Sequence, residues 1–128
     1  MNTIRIGFLL SIIFMLQAAP AIAAEQSHSA MYQMAEIMHR LKHYPSPVGK
    51  EALKKIVANS ASTEREKVLA TAMINLEHHV MGSDVPKLKA IIEDNGASQD
   101  ERDLASMILN LNHRPTAADK ARLEKMMQ

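Results

Sequence analysis

Three histidines recur at a fixed spacing of 35 residues, and the residues around them recur with them. His43, His78 and His113 each follow a leucine by two positions, and an alanine precedes each of these leucines by six positions. A period of this length is typical of a repeat array, in which each unit is one supersecondary element that buries its apolar face against its neighbours. The spacing therefore predicts three equivalent units. They cover roughly residues 27–61, 62–96 and 97–128.

Each unit has the pattern of two helices joined by a short loop. In the second unit, Thr63 and Glu66 have the spacing of a capping box, and apolar residues follow at helical intervals as far as His78 and His79. In the first unit, Pro47 marks the start of a shorter second helix, since proline is favoured at the first helical position. We therefore expect an all-α fold of three helical hairpins, about six helices. The arrangement would be a short right-handed-type α-solenoid or bundle with a 35-residue internal repeat.

The first 24 residues have the layout of a secretory signal peptide. Arg5 supplies a positive charge, an apolar run follows it, and residues 21–23 form an A-x-A cleavage site. We expect residues 1–24 to be removed and residues 25–128 to form a single domain, periplasmic or secreted, with no membrane association after cleavage. The alternative is an uncleaved membrane anchor, although Pro20 interrupts the run and its length only just suffices to span a bilayer.

Composition and charge exclude several classes of function for this domain. Removal of Arg5 from the 15 lysines and arginines leaves 14 basic against 14 acidic residues. This balance argues against nucleic acid, because such partners require a basic excess or stripe. Tyr32 and Tyr44 are the only aromatic residues after position 24, which provides no platform for stacked bases. The absence of cysteine excludes disulfides, thiolate metal sites and haem attachment.

The three repeated histidines are the first candidates for a site. Imidazole is the commonest metal ligand and titrates near neutral pH. The structural alternative is that each ring closes the last turn of its long helix by bonding free carbonyl groups. Equivalent positions in stacked helices are expected about 8–10 Å apart, whereas the nitrogens that ligate one zinc ion lie about 2.0–2.1 Å from it. We therefore favour the capping role and expect the histidines to converge only in a strongly curved stack.

A second group of metal-binding candidates lies mainly in the first unit. His39 and His43 stand at i and i+4, a spacing that places two ligands on one face of a helix. Thioethers select Cu(I), and Met31 and Met81 are the methionines least constrained by the repeat. Most other methionines align with apolar positions and are expected in the core. These four residues, or the three repeated histidines with a methionine, would form a site for copper, nickel or zinc.

The predicted architecture resembles short helical-hairpin solenoids, such as tetratricopeptide and HEAT-type arrays, over the whole of the domain. The aromatic and glycine positions of the tetratricopeptide pattern are missing, and the period is 35 rather than about 34 residues. Arrays of this kind usually bind proteins or peptides, so the resemblance implies an interaction module.

The preferred functional hypothesis is therefore an exported, non-catalytic module that binds a protein or peptide partner. No catalytic constellation is present in the sequence. We expect no resident cofactor, with copper, nickel or zinc binding as the alternative function. The outer faces of the first and last hairpins are expected to lack a cover, which would allow self-association. The expected binding face lies at the ends of the long helices. It consists of His43, Tyr44, His78, His79, His113 and Arg114.

Overall fold

The computed structural model describes residues 28–128, which form six α-helices and no β-strand. The helices are α1 (Ala30–His39), α2 (Pro47–Ala58), α3 (Glu64–Ile74), α4 (Val85–Glu93), α5 (Gln99–Leu109) and α6 (Ala117–Met126). The predicted all-α class and the number of helices are confirmed. The predicted signal peptide lies outside the described residues. Within residues 28–128, no helix combines the length and the apolar character needed to cross a membrane.

Side-chain caps start the helices where the sequence predicts them. The Thr63 hydroxyl accepts a hydrogen bond from the Glu66 amide at 3.1 Å, and the Glu66 carboxylate accepts one from the Thr63 amide at 2.8 Å. The same reciprocal capping box is present at the starts of α5 and α6. The exception is α4, whose N-cap residue Asp84 forms no capping hydrogen bond and is buried. The local capping interactions thus account for the starts of five of the six helices.

The odd-numbered helices end earlier than expected. Because α3 ends at Ile74, His78 and His79 lie in the following loop instead of the last helical turn. Similarly, α1 ends at His39, so His43 lies beyond the helix. His39 and His43 therefore do not share a helical face. The expected shorter second helix is present in the second and third hairpins, where α3 and α5 have 11 residues and α4 and α6 have 9 and 10. It is wrong for the first hairpin, where α2 has 12 residues and α1 has 10.

The packing of the six helices closes on itself. Helix α3 packs most extensively against α2, α5 against α4, and α1 against α6, and the three odd-numbered helices also contact one another. An extended stack would keep its first and last helices apart. The contact between α1 and α6 instead lets the two end hairpins, which were expected to remain uncovered, cover each other. The 35-residue period does not specify the angle between successive hairpins, so the sequence did not predict this closure.

The core lies between the odd-numbered helices and the apolar faces of the even-numbered ones. Ala35, Ala70 and Ala105, which share one position in the predicted units, are all fully buried. Leu53 from α2, Leu88 from α4 and Leu123 from α6 are also fully buried. Four methionines that align with apolar positions are buried in the core, as predicted, and they are Met34, Met38, Met73 and Met107. Met126 and Met127, which also align with apolar positions, are only partly buried against it.

Candidate metal centre

The three repeated histidines meet at one end of the bundle. His43, His78 and His113 follow the C-terminal ends of α1, α3 and α5, and one nitrogen from each ring lies within 4.8 Å of the nitrogens from the other two. The ring centroids are 5.0 Å apart for His43 and His78, 5.0 Å for His78 and His113, and 5.6 Å for His43 and His113. All three residues are exposed. The expected separation of one helix-packing distance was wrong, because the closed packing brings the ends of the odd-numbered helices together.

Backbone hydrogen bonds join the three loops that carry these histidines. We call His43, His78 and His113 together the histidine cluster. The His78 amide donates to the His43 carbonyl at 2.9 Å, and the His113 amide donates to the His78 carbonyl at 2.8 Å. The main chain itself therefore holds the three Cα atoms close together.

Two residues of the histidine cluster have an unusual backbone conformation. The φ angles of His78 and His113 are 69° and 64°, and these are the only non-glycine residues with positive φ among residues 28–128. At His113 the Arg114 amide donates to the Asn112 carbonyl at 2.8 Å, which closes a three-residue γ-turn. Positive φ costs an L-residue about 1–2 kcal/mol, and glycine relieves that strain. Strain of this kind concentrates at functional sites, so the imidazoles at these positions point to a role beyond stability.

The charge state of the cluster is constrained by the contact between two of its rings. The Nδ1 atoms of His78 and His113 are 3.0 Å apart, so one of them must carry a hydrogen and the other must offer a lone pair. Loss of solvation beside the other rings lowers the pKa of His113 below its ordinary value of 6.5, and positive charge on His78, His79 and His43 lowers it further. The neutral form that this environment favours for His113 is the form in which imidazole binds a metal.

The rings do not act as helix caps. Among residues 28–128, no ring of the histidine cluster hydrogen-bonds a carbonyl group at a helix end, and the C-cap positions of α1, α3 and α5 belong to Arg40, Asn75 and Asn110. The capping role favoured by the sequence analysis is therefore wrong. Its premise was that the helices continue to the histidines.

The remaining residues of the expected binding face surround the cluster. Tyr44, His79 and Arg114 directly follow its three histidines in the chain, and all three are exposed. The His79 ring lies 5.4 Å from the His113 ring, and its Nδ1 atom is 3.2 Å from the Leu111 carbonyl oxygen. The six residues expected to form the binding face thus lie at the same end of the bundle.

The metal-binding candidates of the first unit are separated by the fold. His39 is not part of the histidine cluster, and its Nε2 atom lies 3.1 Å from a carboxylate oxygen of Glu124, which links α1 to α6. Met31 is half-buried and packs against the core. Met81 lies in the loop before α4 and is 47 % exposed. Of the pair His39 and His43, only His43 is in the cluster.

Comparison with protein-family models, with characterised proteins and with solved structures finds no match for this chain. Functional inference therefore depends on the residues of the site and their geometry.

Proposed function

We propose that this chain is an exported, non-catalytic protein that binds one transition-metal ion through His43, His78 and His113. The observation that carries this proposal is that nitrogens from three separate loops lie within 4.8 Å of one another. Imidazole nitrogen is a suitable ligand for zinc, copper and nickel, and these are the proposed metals. All three rings are exposed, which suits the uptake and release expected of a metal carrier.

The spacing of the ring nitrogens fits a single ion. Ligands about 2.0–2.1 Å from a tetrahedral zinc ion lie about 3.4 Å from one another. The Nδ1 atoms of His78 and His113, at 3.0 Å, are already close to this distance. One nitrogen of His43 lies within 4.8 Å of the others, so this exposed side chain must come closer to complete the site. Three protein ligands leave at least one coordination position for water or another ligand.

The backbone supports a metal site in preference to a purely structural role for these histidines. The positive φ angles of His78 and His113 oppose stability, and glycine would fit both positions better. In the metal-free chain, one of the two Nδ1 atoms donates a hydrogen bond to the other at 3.0 Å. A metal ion would replace this hydrogen bond by binding the lone pairs of both rings.

Native mass spectrometry of the purified chain tests the proposal. Zn(II), Ni(II), Cu(II) and Cu(I) would be titrated separately, and we expect one tightly bound ion for each chain. His43→Ala, His78→Ala and His113→Ala should each lose this ion, while circular dichroism should show that their helices remain. His39→Ala is the matched control, since His39 lies outside the cluster, and it should keep the ion. Absence of a stoichiometric ion, or its retention in all three cluster variants, would contradict the proposal.

A protein or peptide partner is the second candidate function for this end of the molecule. The observation that favours it is the exposure of large apolar side chains beside the histidine cluster, 59 % for Tyr44 and 80 % for Val48. Aromatic and apolar side chains are typical anchors of protein interfaces. This function requires a partner that binds the metal-free chain and that is lost in Tyr44→Ala and Val48→Ala. A partner that binds equally well to both variants would count against it.

A further inference from the structure

An apolar groove adjoins the histidine cluster at the first hairpin. It has a volume of about 620 Å³, lies between α1, the following loop and α2, and includes His43 in its lining. Sites for small molecules commonly have volumes of about 300–1,000 Å³ and mainly apolar walls. Because His43 belongs both to the groove and to the cluster, a molecule in the groove can approach a metal ion bound by the cluster.

The walls of the groove are formed by side chains from both helices. Ile37 lines it from α1, and Val48 and Ala52 line it from α2. Gly49 allows the close approach of the two helices, since a Cβ atom there would lie 3.3 Å from the Ile37 Cγ2 atom. Val48 is 80 % exposed, which leaves its apolar side chain without a cover within the part of the chain that the structure describes.

The groove is a particular feature of the first hairpin and does not follow from the repeat. In the second hairpin, Asn75 donates to Asp84 at 2.9 Å, and this partly buried contact lies where the first hairpin has Arg40 and Gly49. Arg40 instead pairs with Glu36 at 2.9 Å on the surface of α1. The corresponding pocket of the second hairpin has a volume of only about 110 Å³.

The residues that line the groove also differ from those at the equivalent positions of the other two hairpins. Val48 and Ala52 of the first hairpin are replaced by more polar or smaller residues at the equivalent positions of the others. These are Ser83 and Lys87 in the second hairpin, and Ala118 and Arg122 in the third. An open apolar groove therefore occurs at the hairpin that contributes His43, and the equivalent positions elsewhere do not preserve it.

The ligand chemistry follows from the two adjoining sites. Three histidines leave open positions on the metal ion, and an oxygen chelator can occupy them. Three charged residues line the groove, and two of them, Glu36 and Arg40, pair with each other at 2.9 Å. The third is Lys42, next to His43 in the chain, and its ammonium group favours an anionic ligand. The apolar walls favour a ligand with an apolar group.

We infer that the cluster binds its metal ion together with a small anionic bidentate chelator whose apolar group occupies the groove beside His43. This inference rests on the proposed metal site and extends it from a free ion to a ternary complex. The volume of the groove suits a small molecule.

Two hydroxamates that share one chelating group provide the test. The chain is first loaded with Zn(II), Ni(II) or Cu(II), whichever binds in the titration described above. Acetohydroxamate and benzohydroxamate are then titrated by calorimetry, with native mass spectrometry to identify the complex of protein, ion and hydroxamate. We expect benzohydroxamate to bind about tenfold more tightly or better, because burial of its phenyl ring is favourable by at least that factor.

Variants in the groove and at an equivalent position of another hairpin separate the contribution of the groove to hydroxamate binding from that of the metal ion. Val48→Asp should bring the two hydroxamate affinities close together without changing the affinity for the ion alone. Val48→Ser, which introduces the residue type found at position 83, should have a smaller effect in the same direction. Ala118→Asp is the matched control at the equivalent position of the third hairpin, and it should leave the preference for benzohydroxamate intact.

The outcomes separate the two proposals. An ion that binds without any preference for benzohydroxamate, or with a preference that survives Val48→Asp, overturns the ternary complex and leaves the metal site standing. Removal of the ion from the protein by the hydroxamate, or binding of benzohydroxamate to the metal-free chain, also overturns the ternary complex. If no ion binds to the cluster, both proposals fail.

Discussion

The polar groups at the two ends of the odd-numbered helices differ in whether they have partners within the protein. At the N-terminal end of α3, the Arg65 side chain donates to Asp94, to Glu101 and to the Gly96 carbonyl, each at 3.0 Å. These bonds connect α3 with α5 and with the end of α4. Capping boxes at the starts of α3 and α5 satisfy further amide groups. The polar groups at this end are therefore satisfied by partners within the protein.

At the C-terminal ends, the main chain is strained and the rings of the histidine cluster mainly face one another. His78 and His113 have positive φ, and no ring of the cluster is bonded to a helix carbonyl within residues 28–128. The difference indicates that one end of the bundle contributes to its stability, whereas the other keeps ring nitrogens accessible at some cost to stability. The predictions below test this division of roles.

Saturation with a metal ion should have the largest effect, because it acts on the strained end. An ion present at about 100 times its Kd stabilises the folded chain by about 2.7 kcal/mol. For a domain of about 100 residues, each kcal/mol raises Tm by about 4–8 °C. Thermal unfolding followed by circular dichroism, with and without the ion, measures this shift. A variant with alanine at all three cluster positions should show no shift, and a shift of equal size in that variant would contradict the assignment of the site.

Loss of Arg65 should be the largest effect of a single substitution at the opposite end. Arg65→Ala leaves the nearly buried Glu101 carboxylate without its guanidinium partner. We expect a loss of about 1–2 kcal/mol in urea unfolding, reduced by the partial exposure of Arg65. Metal affinity should be unchanged, since α3 separates the two ends by about 16 Å. Lys54→Ala, which removes the exposed pair with Glu51, is the control and should cost about 0.5 kcal/mol or less. Equal losses in the two variants would contradict this account of the N-terminal end.

Glycine and alanine substitutions should measure the backbone strain in the cluster directly. At His78 and His113 we expect the glycine variant to be more stable than the alanine variant by about 1 kcal/mol, because only glycine adopts positive φ without strain. At His43, whose φ is not positive, alanine should be the more stable by about 0.4–1 kcal/mol. Urea unfolding of the six metal-free variants gives the comparison. The same order at all three positions would show that strain is not specific to His78 and His113.

Acidification should have the smallest effect. Because the pKa of His113 is lowered in the folded chain, the unfolded chain binds a proton to this residue more readily. The contribution of His113 to stability is therefore fully present above its ordinary pKa of 6.5 and is lost as the pH falls through that value towards the folded pKa. Urea unfolding of the metal-free chain at several pH values should show this loss, and His113→Gln should reduce it. A steeper loss in the variant would contradict the sign of the shift.

The features that depend on neighbouring residues could be predicted from the sequence. Capping boxes at Thr63 and Ser98 depend on contacts three residues apart, and the structure has both. Burial of Met34 and Met73 follows from apolar residues at helical spacing, since one face of each helix must meet a neighbour. The C-terminal ends of the odd-numbered helices were less accessible to prediction. The apolar pattern continues to Leu76, although α3 ends at Ile74.

The candidate site could be predicted from the sequence only in part. The 35-residue period identified His43, His78 and His113 as equivalent, but it also led us to expect them to be separated by a helix-packing distance. The pairing of His39 with His43 failed because it assumed a continuous helix through both residues. The groove beside His43 was not predicted at all. In the second hairpin, Asn75 contacts Asp84. The equivalent residues of the first hairpin, Arg40 and Gly49, cannot form this contact, and the groove lies there.

The all-α class, the helix starts and most of the core are encoded in interactions between residues a few positions apart, and they can therefore be recognised in the chain itself. The meeting of the three histidines depends on the angle between successive hairpins and on the contact of α1 with α6. That angle results from the packing of many side chains that are distant in sequence, and no single spacing records it. Equivalent residues become neighbours here because the hairpins close around the odd-numbered helices, which converts a linear repeat into a common site.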